Sequence, residues 1–321
     1  MRHTWMDTVR GGSIVLIILL HAVALPVIMV GVVPPQWVND VNTFFVPFRM
    51  PSLMLLSGML LERALRKPLG AYYLGKVRTL VWPYFIWVSI YWFAVDQEEW
   101  KSWEGWIATS WLWFIFYLFF YYAAAPLLRR VPPVLVFTTC WLGSVFAPTG
   151  GWTDLLFYGG FFFAGHAIWT SRSRLQRLDT ARVALIAGAI GLGFSIVHLA
   201  EAHGRVLPLP LYREWLVYVP FTLSGILAII YVARRLPDSS TSALRFLGRD
   251  SVVFYVVHYP LQLVILRVLA SYWIWDWWIY LVLGLLLPLG IGVVLAKGRH
   301  RSRIVSALFV MPWPQRSAAT R

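Results

Sequence analysis

Apolar residues run along this chain in long blocks separated by short polar stretches. The blocks are too long and too uniformly apolar for the strands or one-faced helices of a soluble domain. They predict ten membrane-spanning helices over residues 12–33, 43–62, 79–95, 106–126, 133–149, 154–170, 182–200, 215–233, 251–271 and 274–296. Each is close to the roughly 20 apolar residues that a helix needs to cross a bilayer. The expected fold is therefore all-α: a polytopic integral membrane protein with a single membrane-embedded domain over 1–303. Residues 304–321 read as a loosely held or interfacial tail. Arg2 to Arg10, an apolar run and Ala22-Val23-Ala24 imitate a cleavable leader, but the run continues to Val33 and contains His21, which argues for a retained span.

Composition closes off the alternatives. Apolar residues make up 59% of the 321 positions and charged residues 13%, which leaves too little polar surface to cover a globule of this size. Nineteen Trp and fifteen Tyr suit rings seated at membrane–water boundaries. Cys140, the sole cysteine, lies in an apolar block, so no disulfide framework exists.

A net charge of +14 raises the question of a nucleic-acid partner, and its distribution answers it. With the connecting segments counted alternately from the N-terminus, the first set holds 23 of the 28 basic residues. The other set holds only Lys101, Arg205 and Arg213, while Arg49 and Arg267 fall inside spans. Short loops orient by their Lys and Arg content, so both termini are expected in the cytoplasm. Charges scattered over loops form no folded basic face, which excludes nucleic acid and leaves membrane lipids as the expected surroundings.

Ionisable groups inside hydrocarbon are costly, so each is a candidate for function. The first span carries Asp7-x-x-Arg10 and, eleven residues beyond the arginine, His21. Eleven residues return almost to the same helix face, so Arg10 and His21 project from one side, about 16 Å apart along the axis. The second span carries Phe48-Arg49-Met50-Pro51 after Pro47, which suggests a broken helix start near the outer leaflet with Arg49 open to a polar acceptor. Its bland reading is an arginine that snorkels to headgroups. Next comes the densest basic run, Arg63, Arg66, Lys67, Lys76 and Arg78, able to hold phosphates or merely to set topology. In Gly248-Arg249-Asp250-Ser251 and Tyr255-x-x-His258, the tyrosine and histidine share a helix face, with Arg267 on the opposite side. His198, His203 and His300, at span ends or in loops, carry little information, and His166 reads as structural. No His, Cys or carboxylate set has metal-ligand spacing, so no metal is expected.

These elements resemble the acyltransferase-3 family of bacterial integral-membrane O-acyltransferases. The likeness rests on Asp7-x-x-Arg10-Gly11 with the Arg-x10-His spacing to His21, on Phe-Arg-Met-Pro…Leu-Ser-Gly at 48–58, on the basic-to-Pro-Tyr segment at 76–84, and on Ser251…Tyr255-x-x-His258. The resemblance implies transfer of an acyl group, commonly acetyl, from cytoplasmic acyl-CoA to a hydroxyl of an extracytoplasmic glycan, glycolipid or related acceptor. It implies a place in the bacterial cytoplasmic (inner) membrane. His21 is then the catalytic histidine, with Arg10 and Asp7 as its motif partners. The family places two arginines three apart near the start of the third span to hold CoA. Here Lys76 and Arg78 stand two apart, while Arg63 and Arg66 have the spacing but come earlier. Arg49, Ser57, Tyr255 and His258 are then the groups facing the acceptor. A neutral imidazole can serve as general base or as an acyl carrier, and both remain open. So does a rival class, a secondary transporter or flippase, which would also use mid-membrane ionisable residues and broken helices.

Overall fold

The computed structural model describes residues 3–94, 101–205 and 216–313. Arg2, Arg213, Arg316 and Arg321 of the charge count, the end of the expected span 79–95, the start of 215–233, and 314–321 of the expected tail lie outside the described residues.

The described chain is helical throughout, with no strand among the described residues. The first half holds α1 (Thr4–Val30), α2 (Gln36–Met59), α3 (Leu61–Leu65), α4 (Leu69–Lys76), α5 (Trp82–Ala94), α6 (Trp113–Ala124), α7 (Pro133–Phe146) and α8 (Gly151–Thr170). The second half holds α9 (Arg172–Leu175), α10 (Ala181–Ala202), α11 (Val219–Ala233), α12 (Ser242–Arg249), α13 (Ser251–Ser271), α14 (Trp277–Gly298) and α15 (Arg303–Ala307). Among the described residues, six helical stretches are long and apolar enough to cross a membrane: 4–30, 36–65, 181–202, 216–233, 251–271 and 277–298. At the other four expected spans the chain also forms helices, but 110–124 and 133–146 are short, and α5 and α8 are not among the six.

Local chemistry explains the boundaries. The first helix stops at Gly31, whose φ of 73° is a left-handed value that glycine adopts freely, and whose N–H caps the Pro26 carbonyl. The second helix contradicts the broken start expected around Pro47 and Pro51: it begins earlier, at Gln36, and runs through both prolines. Packing sustains it. Ser195 of α10 donates to the Phe44 carbonyl at 3.0 Å, within a turn of Pro47, so backbone disturbed by proline finds polar company from its neighbours. Between α4 and α5, Val77–Val81 winds as a π-helix, a wider turn often found at functional positions.

Helices α7 and α8, α2 and α8, α1 and α12, α10 and α11, and α13 and α14 form the main packed pairs. Glycines allow the tightest crossings. A Cβ on Gly58 of α2 would stand 1.7 Å from the Phe162 carbonyl oxygen, and one on Gly165 of α8 2.0 Å from that of Leu55. The Leu-Ser-Gly segments at 56–58 and 223–225 thus do what small residues do in membrane helices, letting backbones approach.

Residues 303–313 fold back onto α5 and the π-turn. Trp82 and Trp87 donate their indole N–H groups to the carbonyls of Ala307 and Leu308, at 2.6 and 3.0 Å. Phe309 stacks on Trp87 and is buried. The part of the expected tail that the structure describes is therefore fastened to the bundle, because its apolar residues find an aromatic seat.

Candidate active site

The first span delivers His21 to a cavity of about 450 Å³ that α1, α2, α6, α8, α10, α11 and α13 enclose. The contributing stretches are the second half of α1, the middle of α2, the beginnings of α6, α8 and α11, and the end of α10. The cavity therefore lies toward the end of the bundle where α1 finishes. Its polar lining includes His21, Arg49, Asp154, Tyr158, His198 and Thr222, and its apolar lining is rich in rings, among them Trp111, Trp113 and Tyr218. Cation, carboxylate, hydroxyls and flat aromatic faces together suit a polyhydroxylated ligand better than a purely hydrocarbon one.

The histidine is held from several sides. Its Nδ1 lies 3.0 Å from the Ile17 carbonyl oxygen one turn back, and 3.2 Å from Nε2 of His258 on α13. Tyr259 meets the His21 ring edge-on with centroids 5.2 Å apart, and Trp111 stacks on Tyr259 at 4.5 Å. Gln262, one turn beyond His258, donates to the carbonyls of Ile18 at 2.9 Å and Gly284 at 2.8 Å. That side chain ties α13 to both α1 and α14 beside the imidazole pair.

Arg49 is 4% exposed, and its guanidinium donates to the Leu16 carbonyl and to Oδ1 of Asn42, both at 3.3 Å. The bond to Leu16 sets its depth: Leu16 is near the middle of α1, not near its end. Because α2 starts seven residues before the expected span, Arg49 lies about 20 Å into that helix at 1.5 Å per residue. It lies on the cavity wall, level with the middle of α1.

A second group forms toward the end where α1 starts. Arg10 donates to the Leu56 carbonyl at 3.5 Å, and the Tyr122 hydroxyl donates to the next carbonyl, that of Ser57, at 2.9 Å. The Lys76 ammonium stands 3.1 Å from the centre of the Tyr122 ring. Arg10, the Leu-Ser-Gly segment and Lys76 thus converge on the last turn of α2 through one tyrosine. Burial, with the charge of Lys67 adding, pushes the Lys76 ammonium down to about 7, against the preference of the ring face for the charged form. Asp7 is buried where α12 crosses α1, and Gly248 lies so close that a Cβ there would come within 1.8 Å of the Asp7 carbonyl oxygen.

A family model described as an acyltransferase domain matches residues 3–297, nearly the whole chain. The chain belongs to the acyltransferase-3 family. Comparison with curated proteins and with solved structures finds no match. The protein is thus a multi-pass membrane protein of the acyltransferase kind.

In this acyltransferase the residues singled out from sequence fall into three places. His21, Arg49 and Tyr255 line the cavity, and the Tyr255 hydroxyl donates to the Trp111 carbonyl. His258 is fully buried and is not part of the lining; it stands against His21 and Tyr255, which are. Arg10, Ser57 and Lys76 form the second group, where the Ser57 hydroxyl bonds its own helix at the Leu53 carbonyl, 2.7 Å away. Elsewhere, Arg78 spends its Nε–H on the Met311 carbonyl at 3.2 Å. Arg63 and Arg66 are exposed just past α2, with Arg66 3.5 Å from Glu62. Sequence reasoning missed Asp154, Trp111 and Thr222 and set His198 aside, although all four line the cavity. It missed Gln262 as well. An amide in the middle of an apolar span, four residues after a histidine, was the available signal.

Proposed function

We propose that this protein transfers an acyl group, in the simplest case acetyl, from acyl-CoA to a hydroxyl of a glycan, glycolipid or related acceptor across the bacterial cytoplasmic membrane. The observation that carries the reading is His21. In a chain of this family, its imidazole borders a cavity walled by a cation, a carboxylate and aromatic rings, while the Arg10–Lys76 group lies toward the opposite end of the same bundle. With the basic loops in the cytoplasm, the donor enters at the Arg10–Lys76 end and the acceptor at the cavity.

In the general-base form of the reaction, the acceptor oxygen attacks the thioester carbonyl while His21 takes its proton. The carbon–sulfur bond then breaks, and the departing thiolate recovers the proton from the imidazolium. Arg49, Asp154 and the aromatic rings orient the acceptor, and the cations at the other end hold the CoA phosphates by charge-assisted bonds.

Purified wild-type protein and the His21→Ala variant, each given acetyl-CoA and a crude envelope extract, test this directly. Free thiol and an acylated product should form with wild type and fall at least about 100-fold without the imidazole, the lower end of what general bases contribute. A folded His21→Ala protein with undiminished transfer refutes the assignment. Substrate movement with no thioester consumed would favour the carrier reading instead.

A further inference from the structure

The partners of the two imidazoles determine where their protons sit, and the geometry points to a role for His258 that substrate contact does not provide. The Phe254 carbonyl oxygen lies 3.2 Å from His258 Nδ1. A carbonyl only accepts, so that nitrogen carries the hydrogen, and in the neutral ring Nε2 is left as an acceptor. Nε2 is the atom that faces His21 Nδ1 at 3.2 Å. The Ile17 carbonyl oxygen, 3.0 Å from the same Nδ1, is a second acceptor. Two acceptors around one nitrogen require a hydrogen on it, so the His21 hydrogen is on Nδ1 and its lone pair is on Nε2.

We infer that His258 is a positioning residue for the acyl-transfer reaction: as a neutral hydrogen-bond acceptor it holds His21 in the Nδ1–H form, leaving Nε2 as the base. The inference rests on the reading of His21 as that base. It replaces the substrate-contact role suggested by sequence, because His258 is 0% exposed and stands behind His21 rather than on the cavity wall.

An imidazole suits this post. Catalytic histidines are commonly oriented by a carboxylate, which also favours the imidazolium formed during reaction. A carboxylate here would be an anion in the membrane interior, which is costly. A neutral ring supplies the accepting lone pair without the charge. When His21 Nε2 takes the acceptor's proton, its Nδ1–H bonds to His258 Nε2 and the Ile17 carbonyl become charge-assisted and stronger. When the thiolate recovers that proton, the original neutral pair returns, so no net proton is consumed. Tyr259, edge-on to His21 and stacked on Trp111, keeps the ring plane while this happens.

The test compares the full-length protein with His258→Leu, His258→Gln and His21→Ala, using acetyl-CoA as donor and an envelope extract as acceptor. Glutamine can present a carbonyl oxygen near the place of Nε2 and an amide N–H toward Phe254. His258→Leu should lower kcat by about 100-fold, with KM for the donor within about twofold, and His258→Gln should recover at least about a tenth of wild-type kcat. Thermal melting of each variant reports folding. If His258→Leu does not fold, the glutamine variant alone decides: a folded His258→Gln protein as inactive as His21→Ala overturns the inference. So does a His258→Leu protein that keeps wild-type kcat or changes only KM. An active His21→Ala protein would instead refute the reading of His21 as the base, whatever the variants at 258 do.

Discussion

A lysine pushed down to about 7 is a charge that ordinary changes of pH can remove, and Lys76 is in that position. Its cationic form predominates below neutrality and is lost as pH rises through 7; about a tenth remains one unit higher, by the usual titration relation. If Lys76 and Arg10 hold the phosphates of the donor, KM for acyl-CoA should rise about tenfold between pH 6 and 8.5, the worth of one charge-assisted hydrogen bond. Lys76→Arg, charged throughout, should flatten that rise, and Lys76→Gln should give the high KM at every pH. Steady-state kinetics at several pH values distinguish these outcomes, and a flat wild-type profile refutes the role. At this scale the sequence was legible where a polar group stood in apolar surroundings, as His21 and Arg49 do, whereas Arg10 stood out through its spacing to His21. Asp154 and His198 do not, because polar residues at span ends are ordinary. Which ends meet around a cavity is decided by packing between segments far apart in the chain. The same distance, 237 residues, hid the pairing of His258 with His21.

Helices were readable from hydropathy, but their interruptions were not. Pro47 and Pro51 signal a break when α2 is considered alone, and only the surrounding side chains, such as Ser195 at the Phe44 carbonyl, make the continuous helix tenable. Conversely, the paired Leu-Ser-Gly segments pointed correctly to close packing because glycine's missing Cβ is a local property. That packing is testable. Gly58→Ala would place a methyl group 1.7 Å from the Phe162 carbonyl oxygen, so α2 and α8 must separate. Overpacking of this kind costs about 1–3 kcal/mol, and the variant should melt at a lower temperature in detergent. Gly12→Ala, with nothing within 4 Å of the new atom, is the matched control. It should be neutral or gain up to about 1 kcal/mol from helix propensity. Equal melting temperatures for the two variants would mean that the α2–α8 crossing is looser than the structure has it.

The whole molecule sets two kinds of chemistry toward opposite ends of one bundle. The Arg10–Lys76 group gathers at the last turn of α2, while the cavity opens among the beginnings of α6, α8 and α11. His21, Arg49 and His258 occupy the levels between. Such an arrangement is wasteful for an enzyme whose substrates arrive from the same side, since one of them would have to cross the bundle to reach the imidazole. It is economical when donor and acceptor lie across a membrane. The argument therefore turns on which end faces which compartment. In a Cys140→Ser background, a membrane-impermeant maleimide applied to cells with a permeable outer envelope should label a Trp152→Cys variant, at the exposed start of α8 beside the cavity. It should spare an Arg66→Cys variant, at the exposed segment after α3, until the inner membrane is opened. The reverse pattern would put the cavity in the cytoplasm and the basic end outside. Acyl-CoA could then reach His21 only through the ring-lined cavity, and the assignment of donor and acceptor to opposite faces would fall.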